Sequence, residues 1–395
     1  MSEPETILRV AAKGDGITAS GHHVAFAAPG DIVSVDGLLE PGPHHATPPC
    51  RHFGKCGGCE LQHLDEESLA QFVFDRVANA ASGQGLEPET IAPAYLSPPR
   101  TRRRATLHAE RGAIGFRARG SHQIVDMREC HVLHPALFAL VAPLRTLLKR
   151  WPGKRLAADI HLVLVDQGVA VDLKGLTLDG LAQTEGLLDF ARDHALARLT
   201  LDQGYGPEAM WEPEPVTVTL SGVPVGLPPG GFLQATVDGE AALLAAVFEW
   251  LGGSATVADL FAGLGTFAFA LAGPTKVLAV EAAQDAHFAC KAAAGRSGKP
   301  VHALHRDLYR NPLRIEELDR FAAVVLDPPR AGARDQVEQL AASQVARVAY
   351  VSCNPSSWAK DAATLVAGGY RLAELRAVGQ FRWSTHVELA SLFVR

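Results

Sequence analysis

The chain has 395 residues, 47% of them hydrophobic and 20% charged, with six cysteines and a formal net charge of −6 at pH 7. That length carries two or three domains with a sizeable core. The composition excludes a disulfide scaffold, and the acidic balance argues against a sequence-independent nucleic-acid coat while leaving room for a local basic groove. Glu3 and Glu5 with no apolar run behind them do not read as a signal peptide, and no stretch approaches a membrane span, so a cytoplasmic protein is expected.

Residues 6 to 36 alternate polar and apolar positions between glycine turns, as in Ile7-Leu8-Arg9-Val10 and Asp31-Ile32-Val33-Ser34-Val35. This pattern predicts a small β-barrel over residues 1–45. A Pro/His-rich linker, Pro41 to Pro49, follows. Then come Cys50, Cys56 and Cys59, three cysteines in ten residues at C-x5-C-x2-C spacing, with Gly57 and Gly58 between the last two. Such clustering reads as metal or cluster ligation. A fourth ligand is needed, and the nearest other cysteine in the chain is Cys130. Four thiolates suit an iron–sulfur cluster or an all-thiolate zinc site; the loose first gap favours iron–sulfur.

Leu64 to Ser82 has helical spacing and ends near Gly83 and Gly85. Seven arginines, Arg100, Arg102, Arg103, Arg104, Arg111, Arg117 and Arg119, fall within twenty residues on strand-like sequence. Guanidinium forks match phosphates in planar geometry, although a solvated charged face would look the same. Residues 155 to 230 continue an α+β unit, giving a central region of 46–230.

From 231 to 395 strands and helices alternate as in a doubly wound sheet, with strands at Thr256–Leu260, Lys276–Val280, Val301–Leu304, Ala322–Leu326, Arg347–Val351, Tyr370–Val378 and Val387–Val394. The run Asp259-Leu260-Phe261-Ala262-Gly263-Leu264-Gly265-Thr266 turns from strand to helix with glycines where a ligand can approach the backbone. Glu281 stands eighteen residues after Gly263, at the end of the next strand; Asp307 follows the third strand and Asp327-Pro328-Pro329-Arg330 ends the fourth. Acids near successive strand ends suit the cationic sulfonium of S-adenosylmethionine better than an anionic pyrophosphate. Asp-Pro-Pro is also found in enzymes that methylate amino groups, but there an aromatic residue follows, and here Arg330 does.

The fifth strand ends in Ser352-Cys353-Asn354-Pro355, which leaves Cys353 at the ligand-binding edge of the sheet. A thiol there is a candidate nucleophile, although a lone cysteine is more often plain core. Cys290, in an Ala-rich helix, is read as core. Thiolate addition to C6 of uracil would make C5 nucleophilic toward a methyl sulfonium, and a base must then remove the C5 proton. Glu388, opening the last apolar strand, offers a carboxylate whose burial would raise its pKa; His386 is the competing base.

Together these residues resemble the S-adenosylmethionine-dependent RNA uracil-5-methyltransferases of the RumA/TrmA type. The resemblance runs over nearly the whole chain: a TRAM-like barrel, the CGGC cluster with Cys130, Phe232-Leu233-Gln234, the Asp259–Thr266 loop, Asp327-Pro328-Pro329-Arg330, Ser352-Cys353-Asn354-Pro355 and His386-Val387-Glu388. It implies an α/β fold: a Rossmann-like class I methyltransferase domain at 231–395, preceded by the barrel and a central α+β iron–sulfur domain. It implies Cys353 as nucleophile and Glu388 as base. Gln234, Phe261, Thr266, Glu281, Asp307 and Asp327 would contact S-adenosylmethionine, and Cys50, Cys56, Cys59 and Cys130 would hold a [4Fe-4S] cluster. The family pattern is broken at Thr236, where Asn is usual, and at Gly379 and Arg382, where Asp and Pro are common. Members with both barrel and cluster act mainly on 23S ribosomal RNA, so that RNA is the expected partner, with tRNA as the alternative, and a monomer is expected. An inactive RNA-binding iron–sulfur protein is the reading from another class.

Overall fold

The alternating residues near the start of the chain form five short strands, β1 (Glu5–Val10), β2 (Gly16–Thr18), β3 (His23–Val24), β4 (Ile32–Val33) and β5 (Leu39–Glu40), in one antiparallel sheet of order β3-β2-β1-β4-β5. Ile7, Ala27 and Val33 make its small core. Buried Asp31 ties the strand ends together: its carboxylate accepts from the Ala28 and Gly42 N–H groups, both at 2.7 Å, and meets His45 Nδ1 at 2.7 Å. The arrangement is compatible with the expected small barrel. The computed structural model describes residues 3–151 and 156–395.

The chain continues through α1 (Glu66–Ser82), the two-residue strands β6 (Thr90–Ile91) and β7 (Tyr95–Leu96), then β8 (Arg104–Glu110), β9 (Ala113–Gly115), α2 (Pro135–Ala139), α3 (Val141–Leu148), β10 (Ala157–Val165), β11 (Gly168–Lys174), α4 (Leu181–Asp193), β12 (Arg198–Asp202) and β13 (Pro207–Trp211). Strands β8 to β13 form a six-stranded sheet of order β13-β12-β11-β10-β8-β9. Alternate residues on one face, among them Leu107, Ile160, Val171 and Leu199, pack into one core with Leu144 and Leu147 of α3 and Leu187 of α4. Helix α4 is the crossover that lets β11 and β12 run parallel.

The arginine run is less uniform than the sequence suggests. Arg103 is 7% exposed, Arg119 pairs with Asp15 at 3.2 Å, Arg111 pairs with Glu110, and Arg102 lies over the Phe116 ring at 5.5 Å. Arg100 and Arg117 are exposed.

The remaining elements are β14 (Thr217–Leu220), β15 (Val223–Gly226), α5 (Val237–Leu251), β16 (Thr256–Leu260), α6 (Thr266–Leu271), β17 (Lys276–Glu281), α7 (Gln284–Ser297), β18 (Val301–His305), α8 (Ile315–Leu318), β19 (Ala323–Leu326), α9 (Arg334–Ala342), β20 (Arg347–Ser352), α10 (Pro355–Ala367), β21 (Arg371–Gly379) and β22 (Glu388–Val394). The large sheet runs β18-β17-β16-β19-β20-β22-β21-β6. Its first five strands are parallel, and β22 enters antiparallel between β20 and β21. The central strands are apolar and buried throughout, as a sheet covered on both faces requires. Strand β6 went unread in the sequence: it is two residues long, between Pro88 and Pro93.

By internal packing the chain divides into two units, Met1–Val73 with Leu96–Glu214 and Phe381–Thr385, and Phe74–Tyr95 with Pro215–Gln380 and His386–Arg395. Among the described residues no helix is long and apolar enough to cross a membrane.

Trp358 of α10 is fully buried, and its indole N–H donates to Ser391 Oγ of β22 at 2.9 Å; that hydroxyl donates on to the Tyr350 carbonyl of β20. Trp358→Ala is expected to cost about 3–5 kcal/mol, read as a lowered urea midpoint by circular dichroism.

Candidate active site

Strand register brings the two expected catalytic residues to one edge. In the β20–β22 ladder Val351 pairs with Ala390 and Ser352 with Leu389. Cys353 directly follows β20 and Glu388 opens β22, so the two lie at the same edge, near enough for the carboxylate to act on the thiol. Glu388 is 5% exposed and paired on its other side with Val378 of β21. The chain leaves β20 sharply because Asn354 caps α10, its side chain accepting from the Ser356 N–H at 3.1 Å, and Pro355 opens the helix. Asn354 Nδ2 and Ser357 Oγ both donate to the Arg330 carbonyl at 2.9 Å, so the loop after β19 is fastened to the cysteine turn.

Burial pushes the Cys353 thiol up to about 11, the Glu388 and Asp327 carboxylates push the same way, and Arg330 opposes them. The thiol is therefore neutral at pH 7. Asp327, at the end of β19, is held well above the usual carboxylate range by burial, then by Glu388 and Asp259. Gln234 Nε2 reaches Asp327 at 3.4 Å; Gln380 Nε2 donates to Gln234 Oε1 at 2.8 Å, and Gln380 Oε1 accepts from the Ala235 N–H at 3.0 Å. Arg330 Nη2 lies 2.7 Å from His386 Nδ1. A guanidinium only donates, so that ring nitrogen accepts, and it is not free to take a proton from elsewhere.

The glycine loop follows β16. Its backbone is left-handed at Phe261 (φ 64°), Gly263 (φ 55°) and Gly265 (φ 92°). At Phe261 this stores strain on the order of 1–3 kcal/mol. A Cβ at Gly265 would lie 2.8 Å from the Phe269 ring and 2.9 Å from the Cys290 sulfur, so only glycine fits. Glu281 accepts from the Gly263 N–H at 2.8 Å and the Ala283 N–H at 2.6 Å, fastening the loop to the end of β17. Asp307 caps the turn after β18, accepting from the Tyr309 N–H at 3.0 Å, and the Tyr309 ring stands 5.4 Å from that of Phe261. Thr266 opens α6. Thr236, where the family pattern has Asn, caps α5 by accepting from the Gly239 N–H at 3.0 Å.

Three features were not singled out from sequence: the Gln380 bridge, the Arg330–His386 pair, and Asp259. Asp259 lies fully buried on β16 with no close hydrogen bond to either carboxylate oxygen. Glu281, Asp259, Asp327 and Glu388 thus form an electrostatically linked row of acids along the strand ends. Such a row fits a cationic ligand with hydroxyl and amino groups, and S-adenosylmethionine is one.

Burial, and then Glu281, raises the Asp259 carboxyl to about 7, against the partial pull of the Ala268 N–H. The native state therefore holds a proton that the unfolded chain has released between pH 4 and 7. Stability from this group is full below pH 4 and falls as pH rises to 7, by on the order of a few kcal/mol. Asp259→Asn should flatten the change in urea midpoint of the ligand-free protein between pH 4.5 and 7.5.

Cys50, Cys56, Cys59 and Cys130 line one cavity in the first unit, with Phe53, Phe116, Val125 and Met127 as apolar walls. Burial raises all four thiols, and the charge of Cys130 adds to the shift at each of the other three. The four are therefore electrostatic neighbours. Among the described residues no three His, Cys, Asp or Glu side chains stand close enough to hold a single metal ion.

Residues 303–395 match the family model described as tRNA (Uracil-5-)-methyltransferase. The chain is 47% identical to "Uncharacterized RNA methyltransferase ZMO1179" of Zymomonas mobilis, over 98% of this chain and 99% of that one. It is 34% identical to the 23S rRNA (uracil(1939)-C(5))-methyltransferase RlmD of Chromohalobacter salexigens, over 90% of this chain and 78% of the relative. The crystal structure of the Pyrococcus abyssi tRNA (uracil-54, C5)-methyltransferase with S-adenosyl-L-homocysteine shares the fold, with a TM-score of 0.79 over 99% of both chains at 22% identity. The chain belongs to the RNA uracil-5-methyltransferase family and is an S-adenosylmethionine-dependent RNA (uracil-C5)-methyltransferase.

Proposed function

We propose that the chain converts a uridine of 23S ribosomal RNA to 5-methyluridine through a covalent bond between Cys353 and C6 of the base. The observation that carries this reading is the antiparallel pairing of β20 and β22, whose adjoining ends carry Cys353 and the buried carboxylate of Glu388 that acts on its thiol.

When bound, S-adenosylmethionine supplies a methyl group on a positively charged sulfur. Glu281, Asp307, Phe261 and Thr266 would hold its nucleoside end, and Gln234 and Asp327 the end nearer the nucleophile. The base must leave its stack to reach the edge of the sheet. Once the thiol has released its proton to solvent, the Cys353 sulfur bonds to C6 as the C5–C6 electrons move toward the C4 carbonyl, and C5 takes the methyl group. Glu388 then removes the C5 proton; the double bond re-forms and the thiolate leaves. Burial, and then the Glu388 and Asp327 carboxylates, keep the free thiol neutral; a bound cation would offset the carboxylate part and ease release of the thiol proton.

The C. salexigens relative named for 23S rRNA supports ribosomal RNA as substrate, as does the pairing of an N-terminal β-sheet with four clustered thiols. A tRNA is the second reading, supported by the name of the P. abyssi structure. The thiols fit a [4Fe-4S] cluster: their cavity is apolar and shared by all four, and a cubane needs ligands spread wider than a single ion does. Such a closed thiolate site is structural, and the reading places residues 46–230 in holding RNA. The enzyme is read as a cytoplasmic monomer.

Methylation of unmodified 23S rRNA and of tRNA, read by nucleoside mass spectrometry, separates the substrates: 5-methyluridine in rRNA alone is expected, and in tRNA alone would transfer the reading to tRNA. Cys353→Ala should give neither product nor an RNA–protein adduct stable to denaturant. Glu388→Gln should form the adduct and slow its release by roughly 10²–10⁴-fold. A fully active Cys353→Ala or a methylated purine would overturn the mechanism. Anaerobically prepared protein should carry about four iron and four sulfide per chain; zinc instead would overturn the cluster reading.

A further inference from the structure

Between β21 and β22 the chain leaves the second unit after Gln380, runs with the first unit through Phe381–Thr385, and rejoins the second at His386. This five-residue excursion ends three positions before Glu388. Its grip in the first unit comes from the residues that follow Cys59. The Glu60 and Leu61 N–H groups both donate to the Trp383 carbonyl, at 2.8 and 2.9 Å. The Glu60 carboxylate accepts from the Thr385 N–H at 3.4 Å and from the Ser384 hydroxyl. Trp383 itself is left-handed, at φ 58°, a conformation a bulky residue keeps only when its surroundings hold it.

A second grip comes from Arg102. Its guanidinium lies over the Phe381 ring at 5.4 Å and the Phe116 ring at 5.5 Å, and is near enough to Cys59 and Cys130 to feel their charge. The backbone that would carry the cluster and the segment that leads to the base are thus one hydrogen-bonded assembly.

We propose that Glu60 is a positioning residue for proton removal: with the Cys59–Leu61 backbone it clamps Phe381–Thr385 and so fixes where the chain delivers Glu388. The proposal rests on the Cys353 and Glu388 roles given above.

The test uses anaerobically prepared full-length protein with its RNA and S-adenosylmethionine. In Glu60→Ala the RNA adduct should accumulate while product release slows, by between about 10- and 100-fold. Affinity for S-adenosylmethionine without RNA should stay within about twofold of the parent, and amide exchange over 381–388 should rise. Glu60→Gln, which keeps an acceptor for Thr385 and Ser384, should restore release. A general loss of structure would lower adduct formation and release together, and that result, or unchanged exchange over 381–388, overturns the clamp. Glu388→Gln is the control. If it builds up adduct and Glu60→Ala does not, the clamp fails alone; if Glu388→Gln builds up none, the catalytic reading fails and the clamp's role in proton removal with it.

Discussion

One antiparallel strand in an otherwise parallel half-sheet sets the chemistry. In a purely parallel sheet every strand presents its carboxyl end to the ligand edge, and the start of the next strand lies at the opposite edge. Strand β22 runs the other way beside β20, so its first residue meets the residue that follows β20. Cys353, just past the end of one strand, and Glu388, at the start of the other, then share one edge. Pairing with β20 on one side and β21 on the other fixes which face Glu388 takes, since a one-residue shift would turn it to the other face of the sheet.

The same edge carries an electrostatic conflict. Glu281, Asp259, Asp327 and Glu388 are mutually repulsive, and the free protein relieves the strain by holding protons on Asp259 and Asp327 and on the thiol. A carboxylate row of this kind is costly until a cation arrives. A cationic group would offset that cost, and a neutral one would not.

Much of this was legible in the sequence. The strands of the second half stand where alternation and turn residues placed them, because each is a continuous apolar run between clear breakers, as Val348–Val351 is before Asn354-Pro355. Glu281, Asp307 and Asp327 could be placed near strand ends because they close or closely follow those runs. What could not be read was long-range. Nothing local in Thr90–Ile91 announces a strand, and nothing in Phe381–Thr385 announces that the chain changes units there. Asp259 looked like part of a glycine motif, and only its burial marks it as a proton-holding group. The arginines of 100–119 looked alike in sequence, yet their neighbours divide them into stacked, paired and exposed.

Strand β21 is nine residues long and would be the open margin of the large sheet on its outer side. Residues drawn from some 280 positions earlier cover part of it: the Glu89 N–H bonds to the Leu372 carbonyl, the Ala92 N–H to that of Leu375, and Thr90 and Ile91 pair with Glu374 and Leu375. Pro88 and Pro93 stop the added strand from recruiting another. This short cover is a solubility device. A folding chain that has not yet brought residues 89–92 home displays a long unpaired strand edge, so partly folded molecules are the species prone to associate edge to edge, and the finished enzyme is not.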